Sequence, residues 1–415
     1  MQIGFVSTRL AGTDGVSLET AKWVKVLTEF GLQCFCFAGE SDWAPERSYI
    51  VPEAHFDHPE IRPLNVDLFD NFTRSQETSH KVQQLKEHLK GHLSAFVRRF
   101  DLELLIVENA LSLPMNVPLG LALTELIAET NISAVAHHHD FAWERTRYAV
   151  SAGDDYLRMA FPPVLPSLRH VVINSFAARQ LALRSGSGSL LIPNVMDFDT
   201  PPSEPDDYGV EVRPVLGIAS NEYMLLQPTR IVPRKRIERA IELARRLGLS
   251  AKLVISHTSG DEGRAYEGYL REYAELVGVS VLFGAERIGY ERGVTQDGRR
   301  KYSLADAYQQ ADLVTYPSLV EGFGNAFLET IYYRRPIVMS TYEIFKTDIQ
   351  PKGFRVIGFD DFIDEQTVRQ TRAVLEDPAL AAEMVEHNYE LGARYYSYRT
   401  LERRLAVLVD QCSGA

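Results

Sequence analysis

Hydrophobic residues of this chain occur in short runs that are separated by longer stretches of mixed polarity. In the first half, runs that are nearly continuous in apolar residues predict strands at 2–8, 34–39, 102–109, 132–138, 170–175 and 189–194. Between the first two runs, the pattern at 17–29 is that of a helix that buries one face. Strands without polar alternation are typical of a parallel sheet that is covered on both faces. The first half is therefore predicted to be a parallel α/β domain.

A segment rich in Pro, Asp and Ser, 197–209, interrupts this series and is typical of a loop or linker. The later apolar runs predict strands at 223–229, 251–257, 279–285, 311–318 and 335–340. The helical patterns lie at 236–247, 263–275, 303–310 and 325–333, with a long helical tail at 378–411. We predict two doubly wound, Rossmann-like α/β domains that face each other across a cleft, 1–205 and 206–395, with a C-terminal helix 396–415 that packs back on the first.

The bulk composition limits the classes of function. A length of 415 residues suits two domains, and a formal net charge of −12 disfavours nucleic acid as a partner. Cys34, Cys36 and Cys412 are too few for a disulfide framework and suit a reducing compartment. No segment approaches the roughly 18–20 apolar residues of a membrane span, and the N-terminus lacks the pattern of a signal peptide. We expect a cytoplasmic protein that binds small molecules, and leave peripheral membrane contact and oligomeric state open.

Charged residues follow two predicted strands of the second half. Arg230 and Lys235 come after the strand 223–229 and before a helix, where two cations suit a diphosphate. A solvated basic turn is the alternative for this segment. The stretch "EGFGNAFLET" (321–330) forms a glycine turn that opens a helix, whose first N–H groups can bind an anion. The loop 256–263 could also approach the phosphates or the base of a nucleotide.

Glu321 and Glu329 of this stretch suggest a catalytic pair of carboxylates, but their spacing argues against one. Glu321 lies in the turn before the helix, whereas Glu329 lies about a turn and a half inside it, at roughly 1.5 Å of rise per residue. We predict that the two glutamates bind different ends of one ligand.

Three consecutive histidines close a strand of the first half, in "AVAHHHDFAWERTRY" (134–148). Alternation along the strand sends His137 and His139 to one side and His138 to the other. His139 is the preferred site residue and His138 the second choice, a preference that rests on the family resemblance given below, while a histidine buried for structural reasons is the alternative. The histidines and Asp140 also suggest a metal site, but consecutive residues of one strand rarely converge on one ion, so none is predicted.

These segments together resemble the family 4 retaining glycosyltransferases, which have the GT-B fold and use nucleotide-sugar donors. The resemblance rests on the segments 7–17, 192–199, 230–235 and 317–329, which occur in the family's order. It implies transfer of a hexose, with retention of configuration, from a UDP-, GDP- or ADP-linked sugar to an acceptor hydroxyl. It also implies that the enzyme has no tightly bound cofactor and does not require a metal.

The resemblance implies roles for individual residues. Arg230 and Lys235 would hold the donor diphosphate and stabilise it as the leaving group. Glu321 would bond the hydroxyls of the donor sugar, Glu329 those of the ribose, and His139 would lie against the sugar. The other donor-side candidates are loop and turn residues, namely Gly12, Gly15, Ser318, Gly322, Phe323, Gly324 and Asn325. The family often has adjacent glycines in the first of these loops, whereas "GTDG" separates them here.

In this fold the first domain usually binds the acceptor. Arg9, Arg145 and Arg147 suit an anionic acceptor, because arginine binds carboxylates and phosphates bidentately. His138 and Asp140 join them as acceptor-side candidates, and ordinary surface arginines are the alternative. We expect a small, soluble, glycerate- or sugar-phosphate-like acceptor. A sugar-nucleotide epimerase and a non-catalytic nucleotide-sugar-binding subunit are the alternative functions, and the sequence leaves the nucleobase, the sugar and the linkage open.

Overall fold

The computed structural model of the chain describes residues 1–259 and 264–413. Gly260 and Gly263 of the predicted phosphate-side loop therefore lie outside the described residues. The chain forms two compact units, one of Met1–Val195 together with the segment from Tyr398 onward, and one of Met196–Ser397.

The first unit is built on a seven-stranded sheet in which every neighbouring pair is parallel. Its strands are β1 (Gln2–Val6), β2 (Gln33–Ala38), β3 (Ser48–Ile50), β4 (Leu104–Glu108), β5 (Ser133–His138), β6 (Leu168–Val172) and β7 (Leu190–Leu191). They lie in the order β3-β2-β1-β4-β5-β6-β7, which is the doubly wound order of a dinucleotide-binding fold with one strand added. The carboxyl ends of β4 and β5 are therefore neighbours at the edge where ligands bind.

Helices connect these strands and cover both faces of the sheet. They are α1 (Gly15–Glu29), α2 (Ile61–Leu68), α3 (Gln76–Arg99), α4 (Val117–Thr130), α5 (Asp154–Ala160) and α6 (Ser175–Ser185). Helix α4 is apolar over most of its length, which suits its burial against the sheet and the neighbouring helices.

The second unit repeats the doubly wound arrangement with six parallel strands in the order β10-β9-β8-β14-β15-β16. A separate three-stranded sheet has the order β11-β13-β12. The strands are β8 (Tyr223–Gln227), β9 (Ala251–Ile255), β10 (Val281–Phe283), β11 (Ile288–Gly289), β12 (Gly293–Val294), β13 (Arg300–Ser303), β14 (Leu313–Tyr316), β15 (Ile337–Ser340) and β16 (Ile357–Phe359). The helices are α7 (Val212–Val215), α8 (Ile237–Leu247), α9 (Arg264–Val277), α10 (Leu304–Gln310), α11 (Asn325–Tyr332), α12 (Glu365–Glu376) and α13 (Pro378–Tyr396).

The two sheets confirm the predicted pair of doubly wound α/β units. The helical tail predicted at 378–411 consists of two helices, α13 and α14 (Tyr398–Ser413), which are separated at Ser397. Ser397 is extended, with φ −82° and ψ 167°, and pairs with Met196 in an isolated β-bridge. Because of this pairing, Ser397 does not adopt the helical conformation. Serine is also one of the residues preferred directly before a helix, where its side chain can cap the first N–H groups of α14.

Helix α14 belongs to the first unit. Its apolar stripe of Leu401, Leu405 and Leu408 is buried in the same core as Trp23 and Leu27 of α1. The helix therefore covers one face of the first sheet. No helix within the described residues is long and apolar enough to span a membrane.

Candidate active site

The basic residues that follow β8 lie in a sharply turned loop of the second unit. Lys235 is buried, Arg234 is partly buried and Arg230 is exposed. A short turn that ends at Lys235 is followed by Arg236 in the left-handed region, with φ 49°, and α8 then begins. The turn keeps these cations beyond the carboxyl end of a parallel strand, where such sheets bind ligands.

Glu321 lies among these cations. Its carboxylate accepts a hydrogen bond from the Lys235 ammonium and lies 3.5 Å from a guanidinium nitrogen of Arg234. Burial raises the pKa of Glu321, but the charges on Lys235 and Arg234 outweigh it and hold that pKa below its ordinary value. Arg230 is close enough to repel the Lys235 charge, so the loop gathers three cations and one carboxylate. The cluster therefore has an excess of positive charge for an anionic ligand.

His257, which the sequence analysis did not select, faces the same cluster from the end of β9. Burial and the charges of Arg230 and Lys235 lower the pKa of His257 to about 4, because all three disfavour the imidazolium. Its Nδ1 lies 2.8 Å from the Ser256 hydroxyl. The signal in the sequence is its position at the carboxyl end of the strand predicted at 251–257.

The glycine turn between β14 and α11 is tightly packed. Gly324 has a φ of 117°, and a Cβ at this position would overlap the Tyr342 hydroxyl. That hydroxyl donates a hydrogen bond to the Phe323 carbonyl at 2.7 Å. Gly324 is the N-cap of α11, which begins at Asn325. The turn thus leads from Glu321 directly to a helix N-terminus, which carries partial positive charge.

The remaining donor-side candidates flank this turn. Ser318 is fully buried after β14, and its carbonyl accepts a hydrogen bond from the Ser340 hydroxyl. Gly322 is partly exposed. On α11, Glu329 accepts a hydrogen bond from the buried Tyr308 hydroxyl at 2.8 Å. Tyr308, on α10, is a further residue that the sequence analysis did not select.

In the first unit, the carboxyl ends of β4 and β5 form a buried cluster around Glu108. One carboxylate oxygen of Glu108, Oε2, lies 3.0 Å from His139 Nε2 and 2.9 Å from His137 Nδ1. The ring of His137 stacks on Trp23, with 4.2 Å between their centroids. Glu108 is fully buried, and it lies in the strand predicted at 102–109 without having been assigned a role there.

His138 lies apart from this cluster. It is 1% exposed, and its Nε2 lies 2.9 Å from Nδ1 of the buried His170. His139 retains slightly more exposure, at 9%. Of the two candidate histidines, His139 therefore keeps the more accessible edge.

Glu108, His137 and His139 also bring three potential metal-ligating atoms within 4.8 Å of one another, which no other group among residues 1–259 and 264–413 does. The 2.9 and 3.0 Å separations between the carboxylate oxygen and the ring nitrogens are those of direct polar contacts.

The glycine loop of the first unit is held by acidic side chains. Gly12 has a φ of 75° and donates its N–H to Asp42 at 3.0 Å. Gly15 is the first residue of α1. Asp14 caps this helix through two backbone N–H groups and pairs with Arg9 at 3.1 Å. The Asp14 carboxylate therefore takes up N–H groups at the N-terminus of α1 that could otherwise bind an external anion.

The loop that follows the histidines is braced by its own residues. Arg145 pairs with Asp140 at 2.8 Å, and Glu144 accepts the Phe141 N–H at 2.8 Å. Arg147 is exposed and lies 4.7 Å from the centroid of the neighbouring Tyr148 ring. Arg145 is thus already engaged with a carboxylate, whereas Arg147 is directed to the surface.

Residues 211–391 match the model of the family described as glycosyl transferases group 1. The chain is 34% identical to the mannosylglucosylglycerate synthase of Thermotoga maritima, over 97% of this chain and 98% of that protein. Among solved structures, it resembles sucrose-phosphate synthase from Thermosynechococcus elongatus, with a TM-score of 0.68 and 15% identity over 100% and 99% of the two chains. It also resembles Anabaena HepE in complex with UDP, with a TM-score of 0.64 and 14% identity over 99% and 100%.

The doubly wound units and these likenesses define a hexosyltransferase with the GT-B fold that uses a nucleotide-sugar donor. The chain belongs to the group 1 glycosyl transferases. Its substrates are small sugar molecules. The comparisons do not favour the two alternatives, an epimerase and a non-catalytic binding subunit.

Proposed function

We propose that this enzyme transfers a mannosyl group from a nucleoside-diphosphate mannose to glucosylglycerate and so forms mannosylglucosylglycerate. The observation that carries the proposal is the 34% identity to the Thermotoga maritima synthase across almost the whole of both chains. That enzyme's name states its product, mannosylglucosylglycerate. If the terminal mannose of that product comes from the donor, the remaining glucosylglycerate is the acceptor. The small anionic acceptor expected from the arginines agrees with a glycerate group.

On the donor side, 206–395, Arg230 and Lys235 hold the diphosphate, and Glu321 bonds the hydroxyls of the sugar. Glu329 bonds the ribose. The turn residues between the two glutamates, together with Ser318, line the sugar and phosphates. The excess of positive charge around Glu321 supports this assignment, because such a cluster stabilises the charge that develops on a departing diphosphate.

The chemistry we propose is a family 4 reaction with retention of configuration. The bond between the anomeric carbon and the β-phosphate oxygen breaks, and a bond to the acceptor oxygen forms on the same face of the sugar. The acceptor's hydroxyl proton passes to the departing phosphate. The cations in the turn that follows β8 can stabilise the charge of the leaving diphosphate, which a metal ion does in other enzymes. We therefore propose that no metal is required.

On the acceptor side, 1–205 with the C-terminal helix 396–415, His139 contacts the donor sugar above the loop of Gly12 and Gly15. The acceptor is held by Arg9, His138, Asp140, Arg145 and Arg147. Arg147 is the arginine that is most directly available for the glycerate carboxylate, because Arg9 and Arg145 already pair with Asp14 and Asp140. The three cysteines are free and buried, which agrees with the cytoplasm as the place of reaction.

The test is an assay of the purified enzyme with glucosylglycerate and a panel of GDP-, UDP- and ADP-linked hexoses. Mass spectrometry should detect a product one hexose heavier than the acceptor, made from one mannose donor, and NMR of the new linkage should show the donor's anomeric configuration. Activity should persist in excess chelator. Transfer only to a phosphorylated acceptor, or to no anionic acceptor, would contradict the proposed substrate. A new linkage with the inverted anomeric configuration would contradict the proposed mechanism.

A further inference from the structure

Two consecutive residues at the end of β4 hold the sugar-side histidine by both its ring and its backbone. Glu108 accepts from His139 Nε2 at 3.0 Å, and the Asn109 side-chain oxygen accepts the His139 backbone N–H at 2.8 Å. Asn109 itself donates its N–H to the His137 carbonyl at 3.0 Å and has a φ of 57°, a conformation that asparagine adopts more readily than most residues. The position and the orientation of the His139 ring are therefore both determined by β4.

The contact with Glu108 also determines which ring nitrogen carries a proton. An ionised carboxylate only accepts hydrogen bonds, so His139 donates from Nε2. Its Nδ1 makes no hydrogen bond with a described residue, and the side chain keeps 7% of its surface exposed. Burial alone would lower the pKa of His139, but the hydrogen bond and charge of Glu108 outweigh burial and raise it. The free Nδ1 edge is the part of the ring that remains for a ligand.

Stability alone does not account for a carboxylate at this position. Glu108 is fully buried, and its second oxygen has no hydrogen-bond partner among the described residues. Both ring nitrogens of His137 likewise lack an aligned partner, although Nδ1 lies 2.9 Å from the shared oxygen. Buried polar atoms that lack a protein partner cost stability, so a carboxylate at this position calls for an explanation beyond packing or for a bound water or ion.

We propose that Glu108 is a positioning residue that holds His139 so that its Nδ1 faces the donor sugar. The inference rests on the proposed function, in which His139 contacts that sugar. Glu108 acts through the ring that it holds and does not contact substrate itself, since its carboxylate is fully buried against the His139 and His137 rings.

A double-mutant cycle tests the inference, with Glu108→Gln, His139→Gln and both changes together. Each single change should lower kcat by about 10- to 100-fold, the size expected for one hydrogen bond that involves a charged group, with little change in the donor KM. The double variant should be no slower than His139→Gln alone, because Glu108 then has nothing to position. Glu125→Gln is the matched control, since that carboxylate pairs with Lys86 and Lys90 elsewhere in the first unit.

The possible results separate the two proposals. Normal turnover of Glu108→Gln beside an impaired His139→Gln would overturn this inference alone, whereas full activity of His139→Gln would contradict the proposed role of His139. Losses that add in the double variant would show a general structural role for Glu108 and overturn the inference. One tightly held metal per chain, with activity lost in chelator, would overturn it too, because the three side chains would then be ligands.

Nitrogen NMR of the histidine-labelled wild-type enzyme measures the protonation of the His139 ring directly and needs the His139→Gln variant only to assign the signal. The His139 ring, assigned by its absence from the His139→Gln spectrum, should carry its proton on Nε2 when neutral. Addition of the donor nucleotide sugar should perturb the Nδ1 resonance more than the Nε2 resonance. A neutral ring protonated at Nδ1 would overturn the proposed arrangement.

Discussion

The Tyr308 hydroxyl donates a hydrogen bond to the Glu329 carboxylate at 2.8 Å, and it does so from a fully buried ring. Tyr308 lies on α10 and Glu329 on α11, so the bond ties the orientation of the carboxylate to a neighbouring helix. A carboxylate held in this way loses less side-chain entropy when it binds a ribose.

Tyr308→Phe should therefore weaken donor binding. We expect the dissociation constant for the donor nucleotide to rise about tenfold, as for the loss of one hydrogen bond to a charged group, while kcat changes little. Calorimetric titration with the nucleoside diphosphate measures the effect. Tyr302→Phe is the matched control, because the Tyr302 hydroxyl is buried in the same unit without a partner among the described residues. Equal weakening by both changes would contradict a specific role for Tyr308.

Glu321 and Glu329 should separate into two kinetic classes. Glu321→Ala should lower kcat by about 100-fold or more and leave nucleotide affinity nearly intact, because its hydroxyl contacts are used in the transition state. Glu329→Ala should mainly raise the nucleotide dissociation constant, by about tenfold. Steady-state kinetics and nucleotide titration of both variants provide the comparison, and the same change of both quantities in both variants would refute the division.

Gly324→Ala should destabilise the second unit. The positive φ and the overlap of a new Cβ with the Tyr342 hydroxyl together predict a loss of roughly 2–4 kcal/mol in the free energy of unfolding. Adding Tyr342→Phe should restore part of it, because removal of the hydroxyl relieves the overlap but not the backbone strain. Gly268→Ala, in α9 with open space around it, should stabilise by about 0.5–1 kcal/mol. Denaturant titration would test this ranking, which a harmless Gly324→Ala would contradict.

Stability should fall as the pH drops from about 6.5 towards 4. Burial lowers the pKa of His170 to about 4, whereas an unfolded histidine titrates near 6.5. Between these values the unfolded chain binds the proton and the folded chain does not, so acid favours unfolding by up to about 1.4 kcal/mol per pH unit. Chemical denaturation across this range should show a shallower pH dependence for His170→Asn than for wild type. His80→Asn, at an exposed site on α3, should match the wild-type slope.

Most of the parallel core was predictable because buried strands have an unmistakable pattern of continuous apolar residues. The edge strands β3 and β16, with three residues each, and β11 and β12, with two each, were not predicted, because strands this short carry little periodic signal of their own. Helix α3 was predictable in principle, because Val82, Leu85, Leu89, Leu93 and Phe96 have the spacing of one buried helix face. The break at Ser397 depends on its pairing with Met196, which local pattern does not reveal.

The residues of the candidate site likewise divide into those that local sequence pattern predicts and those that depend on tertiary structure. Arg230, Lys235 and the glycine turn lie next to strand ends, so their order along the chain indicates their place in the fold. Glu108 reaches the histidines because the parallel register sets it opposite His137, and register between distant strands is a tertiary property. Partners such as Tyr308 depend in the same way on the packing of one helix against another.

The burial of α14 in the core of the first unit has a consequence for how the protein is made. On the ribosome, β1 to β7 emerge well before Leu401, Leu405 and Leu408, because the whole of the second unit is translated in between. During that interval the apolar face that α14 will cover, around Trp23 and Leu27, is uncovered and accessible to chaperones and to other nascent chains. A stop codon at Tyr398 would make this transient state permanent, and the truncated product should aggregate even though both parallel sheets are encoded in full.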